Sequence, residues 1–274
     1  MKNMTNSIRP AAVAGTFYPG AAEALAREVA QLLAGAQPAP AARRAPKAII
    51  APHAGYIYSG PVAASVYALL EPARKQIRRV VLLGPTHRIA VRGLALPAAD
   101  AFETPLGVVE LDRAATDMLR AMPQVAVSEA AHAWEHSLEV HLPFLQTVLD
   151  KFTLVPLAVG RAGAEEVAQV LDVLWGGPET LIVVSSDLSH YLAYREAQKT
   201  DHATAEAILA LSTDISHEQA CGATPVTGLA LAAREHGLKP QLVDLRNSGD
   251  TAGDKNQVVG YGAFAFFEDD GHER

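Results

Sequence analysis

Four short runs of apolar, mostly β-branched residues limit the folds available to this chain more than any other feature. They are Lys47–Ala51, Val80–Leu83, Leu154–Val159 and Leu181–Val184. Continuous apolar runs of this length, bounded by Gly, Pro or Ser, are typical of strands buried on both faces of a parallel sheet. We therefore predict that the strands ending near Ala51, Leu83 and Val184 lie in one sheet.

Segments with helical periodicity alternate with these runs. They are Ala21–Leu33, Pro61–Leu70, Leu138–Leu149, Ala164–Leu174, Ala197–Leu211 and Thr224–His236, the last stopped by Gly237. Alternating strands and helices predict an α/β fold with helices on both faces of the sheet. No convincing linker or repeat divides residues 1–274. We predict a single-domain α/β sandwich with a mixed, largely parallel central sheet.

Two stretches depart from this alternation. Arg92–Asp112 consists of short extended pieces joined by turns at Pro97 and Pro105–Gly107. Gln241–Phe267 contains two strands separated by the polar loop Asn247–Asn256, which favours antiparallel pairing between them.

Composition disfavours several classes of function. The formal net charge of −7 argues against a duplex-binding protein, which usually presents a basic face. No segment approaches the ~20 apolar residues that span a bilayer. Cys221 is the single cysteine, so no intrachain disulfide can form. Together these features predict a cytoplasmic protein with no nucleic-acid or membrane partner.

Three histidines follow the ends of predicted strands. His53 follows the first apolar run, His87 the second, and His190 the run Leu181–Val184. In open α/β sheets, ligands bind in the crevice outside the carboxyl ends of the strands. We therefore expect the three imidazoles to converge at one rim, where nearby Gly and Pro residues form tight turns.

Cys221 precedes the predicted helix Thr224–His236, and a helix N-terminus lowers the pKa of a thiol and favours the metal-binding thiolate. Imidazole and thiolate together suit iron, copper or zinc rather than magnesium or calcium. Asp187, three residues before His190, adds a carboxylate that could orient a ligand or relay protons. From the residues alone, a metal site and a metal-free acid/base site both stay open.

A second cluster of polar residues lies within Ala131–Leu145. His136 and Glu139 have the i, i+3 spacing that places two side chains on one helix face. We expect His136, Glu139 and His141 to line the pocket, and His132 to lie on the surface. The alternative is structural, with Glu139 only helping to begin a helix.

Several catalytic motifs are absent from the sequence. The nucleophile elbow GxSxG does not occur, which disfavours a Ser-based hydrolase although several serines lie near the same rim. Neither a Walker A loop nor GxGxxG is present, and HExxH is missing. Glu135 and Glu139 have no histidine three residues later, so neither begins the Glu-x-x-His motif of di-iron bundles.

Several long motifs resemble one family over nearly the whole chain. They are RPAAVAGTFYPG, APHAGYIYSGPVAASVYALL, LLGPTH, FETPLGVVELD, EHSLEVHLPFLQ, SSDLSHY, CGATPVTG and GYGAFAF. At these residues the sequence resembles the Memo family, whose bacterial members are described as protein B of the AmmeMemoRadiSam system. That family is similar to the class III extradiol dioxygenases, so the resemblance implies a dioxygenase-like fold.

The resemblance implies that His53 and His87 are metal ligands and that His190, tuned by Asp187, is the nearby acid/base group. The dioxygenases use a carboxylate as third ligand, and the matching position here is Cys221. The implied cofactor is a mononuclear transition metal, Fe(II) first, with Cu or Zn as alternatives. The implied activity is metal-dependent redox chemistry on an unknown small molecule or peptide.

The same resemblance implies two partners, a radical-SAM enzyme and an AMMECR1-domain protein. A second function therefore stays open, in which the chain is a non-catalytic binding or accessory component acting with them. Zinc-dependent hydrolysis is a third, because a site with two His and one Cys ligand can keep a fourth position open for water.

Overall fold

The computed structural model describes residues 7–36 and 45–269. The predicted domain also includes residues 1–6, 37–44 and 270–274, which lie outside the described residues. The helices are α1 (Ala22–Gly35), α2 (Tyr56–Tyr67), α3 (Arg113–Leu119), α4 (Glu129–Ala133), α5 (Leu142–Val148), α6 (Ala164–Leu174), α7 (Tyr194–Leu209) and α8 (Ala223–Glu235). Short 3-10 helices cover Ala68–Ala73, Glu139–His141 and Ser248–Asp250.

The strands form a large sheet and a small one. They are β1 (Ile8–Arg9), β2 (Ala48–Ala51), β3 (Arg79–Pro85), β4 (Leu94–Leu96), β5 (Ala101–Thr104), β6 (Gly107–Glu110), β7 (Val125–Val127), β8 (Thr153–Val159), β9 (Thr180–Ser185), β10 (His190–Leu192), β11 (Lys239–Asn247) and β12 (Val258–Phe267). The large sheet has the order β10-β12-β2-β9-β3-β8-β4-β7, with β11 also paired to β12. Strands β1, β5 and β6 form the small sheet.

The four apolar runs are the parallel centre of the large sheet, in the order β2, β9, β3 and β8. Antiparallel pairs flank this centre, with β12 beside β2 and β4 beside β8. The predicted antiparallel pair near the C-terminal end is also present, as β11 and β12. The prediction of a mixed sheet with parallel strands at its centre is confirmed.

Helices cover both faces of this sheet, as predicted. Val80 and Leu82 of β3 join the apolar cluster formed with α1, α2 and α5, whereas Val81 and Leu83 join the cluster formed with α6, α7 and α8. This alternation follows from the two-residue period of a strand. Burying each such side chain stabilises the fold by about 1.5–3 kcal/mol relative to exposure.

Two features differ from the sequence predictions. Within Arg92–Asp112 the extended pieces and the turn at Gly107 are present, but β5 and β6 leave the main sheet and pair with each other and with β1. The predicted helix Leu138–Leu149 begins as the 3-10 turn Glu139–His141 and becomes α-helical only at Leu142. His136 therefore precedes the helix, and it does not share a helix face with Glu139.

No helix within the described ranges 7–36 and 45–269 is both long enough and apolar enough to cross a membrane.

Candidate metal centre

The carboxyl ends of β2 and β3 bring His53 and His87 together, with their ring centroids 5.1 Å apart. His136, from the segment between α4 and the 3-10 turn, joins them at centroid distances of 5.4 Å from His53 and 4.6 Å from His87. One ring nitrogen from each histidine lies within 4.8 Å of the other two. The three imidazoles form a possible site for a metal ion.

Cys221 contacts His53 of this group, although its Sγ is not one of the donor atoms that all lie within 4.8 Å of one another. Its Sγ is 3.3 Å from Nε2 of His53, and the backbone N–H of Asp187 donates a hydrogen bond to Sγ at 3.3 Å. Two ligands of one tetrahedral ion with bonds of about 2.0–2.3 Å lie roughly 3.3–3.6 Å apart. The distance between Cys221 and His53 therefore matches that between two ligands of one ion.

The protonation of Cys221 differs from the sequence prediction. Burial and then the charge of Asp187 raise the pKa of the thiol to about 12, although hydrogen bonds from the backbone and from Ser186 oppose this shift. Cys221 does precede Gly222, the N-cap of α8, but the loss of solvation outweighs any effect of the helix. The predicted lowering of the pKa is wrong for the metal-free protein. A cysteine binds a metal as the thiolate, so a cation bound at Cys221 would have to replace this proton.

Hydrogen bonds determine which nitrogen of His53 carries the lone pair. The hydroxyl of Ser185 donates its hydrogen to the carbonyl of Ser137 at 2.6 Å, so it accepts a second bond, also of 2.6 Å, from Nδ1–H of His53. The lone pair is therefore on Nε2, the atom beside Cys221. Burial and then the charges of neighbouring histidines lower the pKa of His53 well below its usual value. The resulting neutral imidazole is the form that binds metals.

Glu135 orients His87 in the same way. Its Oε1 lies 2.8 Å from Nδ1 of His87, and the carboxylate accepts backbone hydrogen bonds from His87 at 2.6 Å and from His136 and Ser137 at 3.0 Å. Burial would raise the pKa of Glu135, but these hydrogen bonds hold it down to about 2. Because an ionised carboxylate only accepts, His87 donates from Nδ1 and keeps its lone pair on Nε2.

Sequence analysis missed Glu135 as a functional residue, since it considered this position only for the absent di-iron motif. The available signal was an acidic residue directly before His136 in a histidine-rich segment. In many metal sites, a carboxylate accepts a hydrogen bond from the ring nitrogen of the histidine that does not bind the metal.

Asp187 and His190 lie beside this cluster. Asp187 accepts the backbone N–H of His53 at 2.7 Å, and its own carbonyl accepts the backbone N–H of Cys221 at 3.2 Å. Asp187 therefore links the backbone of His53 to that of Cys221 through hydrogen bonds. Burial lowers the pKa of His190, and the charge of His87 lowers it further. A hydrogen bond to the backbone of Leu188 opposes this shift but does not cancel it. At neutral pH His190 is a free base close to His87.

Glu139 was predicted to line the pocket, but the structure places it elsewhere. It is fully buried and forms an ion pair with Arg9. It also accepts hydrogen bonds from the backbone N–H groups of Ala12 and Val13, at 2.8 and 3.0 Å, and from the Tyr18 hydroxyl at 2.5 Å. Because these donors all come from the N-terminal segment, Glu139 anchors that segment, a structural role different from the predicted one of beginning a helix.

His141 and His132 are buried and are not members of the three-histidine group of mutually close donor atoms. Nδ1 of His141 is 2.8 Å from the hydroxyl of Tyr67. His132 is 2% exposed and donates from Nε2 to the carbonyl of Ala95 at 2.8 Å. The prediction that His132 lies on the surface is wrong, because it packs beneath the N-terminal segment against Phe102.

We predict that these buried histidines make the metal-free fold labile to acid. Burial lowers the pKa of His132 to about 4 and that of His141 to about 3, whereas the unfolded chain titrates near 6.5. Below pH 6.5 the unfolded chain therefore binds more protons than the folded one, and stability falls. Urea unfolding should lose on the order of 2 kcal/mol per histidine between pH 7.5 and 5.

The matched variants for this prediction are His141→Gln and His202→Gln. His141→Gln should flatten the pH dependence of unfolding, whereas His202→Gln, at an exposed position of α7, should leave it unchanged. Equal stability of the parent protein at pH 7.5 and pH 5 would contradict the assignment.

Comparison with known proteins gives a consistent family match. A family profile described as "Memo-like protein" matches residues 9–265. A MEMO1 family protein of Aquifex aeolicus is 40% identical, over 93% of this chain and 97% of that protein. One of Archaeoglobus fulgidus is 35% identical, over 93% and 97%. Among solved structures, the uncharacterized protein JW3007 from Escherichia coli K12 has 13% identity and a TM-score of 0.48, covering 78% of this chain and 98% of that one.

Proposed function

This chain belongs to the Memo family, and from that premise we propose that it binds one transition-metal ion through His53, His87 and Cys221 and catalyses metal-dependent redox chemistry. The observation that carries the proposal is the 3.3 Å approach of Cys221 Sγ to the lone-pair nitrogen of His53. Fe(II) is the first choice because the dioxygenases that the family resembles are non-haem iron enzymes, with Cu or Zn as alternatives. A cytoplasmic location is part of the proposal, since it keeps the thiol reduced.

Ring orientation favours Cys221 over His136 as the third ligand. A lone pair lies in the plane of its imidazole, so two rings bind one ion readily when their planes intersect near it. The planes of His53 and His87 meet at 73° and those of His53 and His136 at 82°, whereas His136 is stacked on His87 at 25°. His87 and His136 are therefore the pair least suited to bind one ion together. We therefore propose that His136 borders the pocket next to the ion, as the sequence predicted.

The residues around the ligands would bind, orient and move protons. When bound, the metal would supply Lewis acidity and one-electron chemistry. Ser185 and Glu135 orient the two imidazoles, and Asp187 fixes the backbone of His53 and Cys221. His190, a free base beside His87, is the group that would accept a proton from a substrate.

The test of this function uses protein purified without air. We expect the iron- or copper-loaded protein to consume oxygen, the apo protein to consume none, and His190→Ala to keep its metal but lose oxygen uptake. If no loaded form consumes oxygen with any reductant or candidate substrate, the redox proposal is wrong and the accessory function gains support.

That second candidate, a non-catalytic component acting with a radical-SAM enzyme and an AMMECR1-domain protein, has one observation in its favour. Large side chains near the cluster are exposed, with Tyr191 at 70% and Ile57 at 65%. Tyr191 also has a left-handed backbone, with φ of 58°, which costs about 1–3 kcal/mol in a non-glycine residue. Such a strained, exposed aromatic beside His190 suits the binding of a peptide or another protein.

Ser185→Ala should weaken metal binding without unfolding the protein. The change removes the acceptor of the Nδ1–H of His53, so the ring is free to rotate and to adopt the other tautomer. Loss of such an outer partner typically lowers metal affinity about 10–100-fold. Competition titration with a chromogenic chelator measures the affinity. Ser65→Ala, at a buried serine that bonds to Asp244 instead, should bind metal like the parent, and equal affinity of both variants would contradict the assigned role of Ser185.

A further inference from the structure

We infer that Asp201 is a positioning residue for His190, on which it acts through a single peptide group. Asp201 lies on helix α7 and is 2% exposed. Its Oδ1 accepts the backbone N–H of Ser189, the residue before His190, at 3.0 Å. The inference rests on the proposed role of His190 as the group that accepts a proton, and it does not require Asp201 to contact a substrate.

The imidazole of His190 is bonded to the same peptide group from the other side. A hydrogen bond to the backbone of Leu188 favours the protonated ring of His190, in opposition to burial. A backbone group that stabilises a protonated imidazole is an acceptor, so it is the carbonyl of Leu188. This carbonyl and the N–H of Ser189 belong to one planar peptide group and point in opposite directions. A chain of two hydrogen bonds therefore connects the ring of His190 with the carboxyl group of Asp201.

Strand β12 holds this peptide group in place. The N–H of Leu188 donates to the carbonyl of Gly260 at 2.8 Å, and the N–H of Gly260 donates to the carbonyl of Ser189 at 2.8 Å. With the bond to Asp201, both backbone polar groups of Ser189 are paired. A Cβ atom at position 260 would lie 2.1 Å from Oδ2 of Asp201, so the close approach of β12 to this carboxyl group requires glycine.

The backbone directly after His190 is strained. Tyr191 has a φ of 58°, in the left-handed region, and the pairing of β10 with β12 is irregular between His190 and Leu192. Conformations of this kind persist only where the surrounding contacts fix them. Strand pairing is interrupted at this point, and the bond from Ser189 to Asp201 fixes the backbone immediately before His190.

This arrangement determines which nitrogen of His190 can accept a proton. One ring N–H is held by the carbonyl of Leu188, so the other nitrogen carries the lone pair. Hydrogen bonds in a chain polarise one another, so the bond to Asp201 makes Leu188 a stronger acceptor. A carboxylate commonly orients a functional histidine by direct contact. Here the peptide group between Leu188 and Ser189 transmits the effect.

The experiment records the nitrogen signals of ¹⁵N-labelled histidines in the metal-free full chain at about pH 8, where imidazoles with ordinary pKa values are neutral. His190→Gln assigns the signals. We expect a single tautomer of His190 in the parent. Asp201→Ala should give a mixture of both tautomers and faster exchange of the Ser189 amide hydrogen, because the acceptor is lost. Asp201→Asn keeps an acceptor oxygen and should restore the single tautomer.

Two variants of the same helix are the controls. Thr204→Val removes a buried hydroxyl that bonds to the carbonyl of Thr200, and Glu206→Gln changes an exposed acid. Both should keep the His190 signals of the parent. A single His190 tautomer in Asp201→Ala would overturn the inference. If Asp201→Ala fails to fold, Asp201→Asn decides the question: its amide oxygen is a weaker acceptor than a carboxylate, so the Ser189 and His190 signals should shift together, and an unshifted His190 signal would overturn the inference.

Oxygen uptake is a second readout, and it separates this inference from the proposed function. In the iron-loaded protein, Asp201→Ala should lower uptake about tenfold at unchanged metal content, which is part of the roughly 10²–10⁴-fold that general acid–base catalysis contributes. If the parent consumes no oxygen, the redox proposal is wrong, whereas the nitrogen signals still decide how Asp201 acts on His190. Equal uptake by Asp201→Ala and an active parent would overturn the positioning role.

Discussion

His53→Ala is expected to lower affinity for Fe(II), or for Co(II) as a spectroscopic probe, by more than about 100-fold, because a lost ligand costs more than a lost outer partner. His53 contributes to both possible ligand sets, since it lies within the three-histidine group and beside Cys221. Its substitution should therefore remove the site whichever set is correct. Metal content after dialysis and the melting temperature are measured together, so that lost binding is distinguished from lost folding.

Cys221→Ser and His136→Ala then separate the two ligand sets. We expect Cys221→Ser to lose most metal affinity and the thiolate-to-cobalt charge-transfer band, because a hydroxyl is a poor replacement for a soft thiolate. His136→Ala should keep the band and most of the affinity. Full metal occupancy in Cys221→Ser, with loss of metal in His136→Ala, would establish a three-histidine site and end the proposal for Cys221.

Arg9→Met is expected to destabilise the protein by about 3–5 kcal/mol. The change leaves the carboxylate of Glu139 buried without its charge partner, and it removes donors from the carbonyls of His132 and Glu135. For a protein of this size, the loss corresponds to a decrease in melting temperature of roughly 10 °C. Urea and thermal unfolding of metal-free protein measure both quantities.

Two further variants test whether the buried charge is the cause. Arg9→Met combined with Glu139→Gln should recover part of the lost stability, because the double variant buries no unpaired charge. Arg27→Met, at an exposed pair with Glu23, should barely change unfolding. A loss for Arg9→Met no larger than that for Arg27→Met would contradict the assigned anchor role.

The centre of the fold could be predicted from sequence because its signals are local. An apolar run such as Val80–Leu83 is long enough to identify a buried strand, and the histidine after it is then placed at the rim by the direction of the strand. In contrast, β1 and β7 have two and three residues. Their pairing depends on distant partners, and no local pattern indicates it.

The parts of the site that could not be predicted depend on contacts between distant residues. Glu135 acts on His87, 48 residues away, and Glu139 is bonded to Arg9, 130 residues away. The raised pKa of Cys221 also depends on distant residues. The sequence shows that Cys221 precedes a helix, but it does not show that the thiol is buried beside Asp187 and Ser186. The sequence could therefore place His53 and His87 at one rim, but it could not show the protonation of Cys221 or the residues that orient the imidazoles.

The large sequence separation between the residues of the site also determines when, during synthesis of the chain, the site can form. His53 and Cys221 are 168 positions apart, so a growing chain holds its first donor long before its last one has been synthesised. Contacts of such long range form late, after much of the loop-closure cost has been met. A site that uses Cys221 as a ligand, as we propose, would be complete only after translation has passed Cys221, and an interrupted chain would carry imidazoles without the thiol.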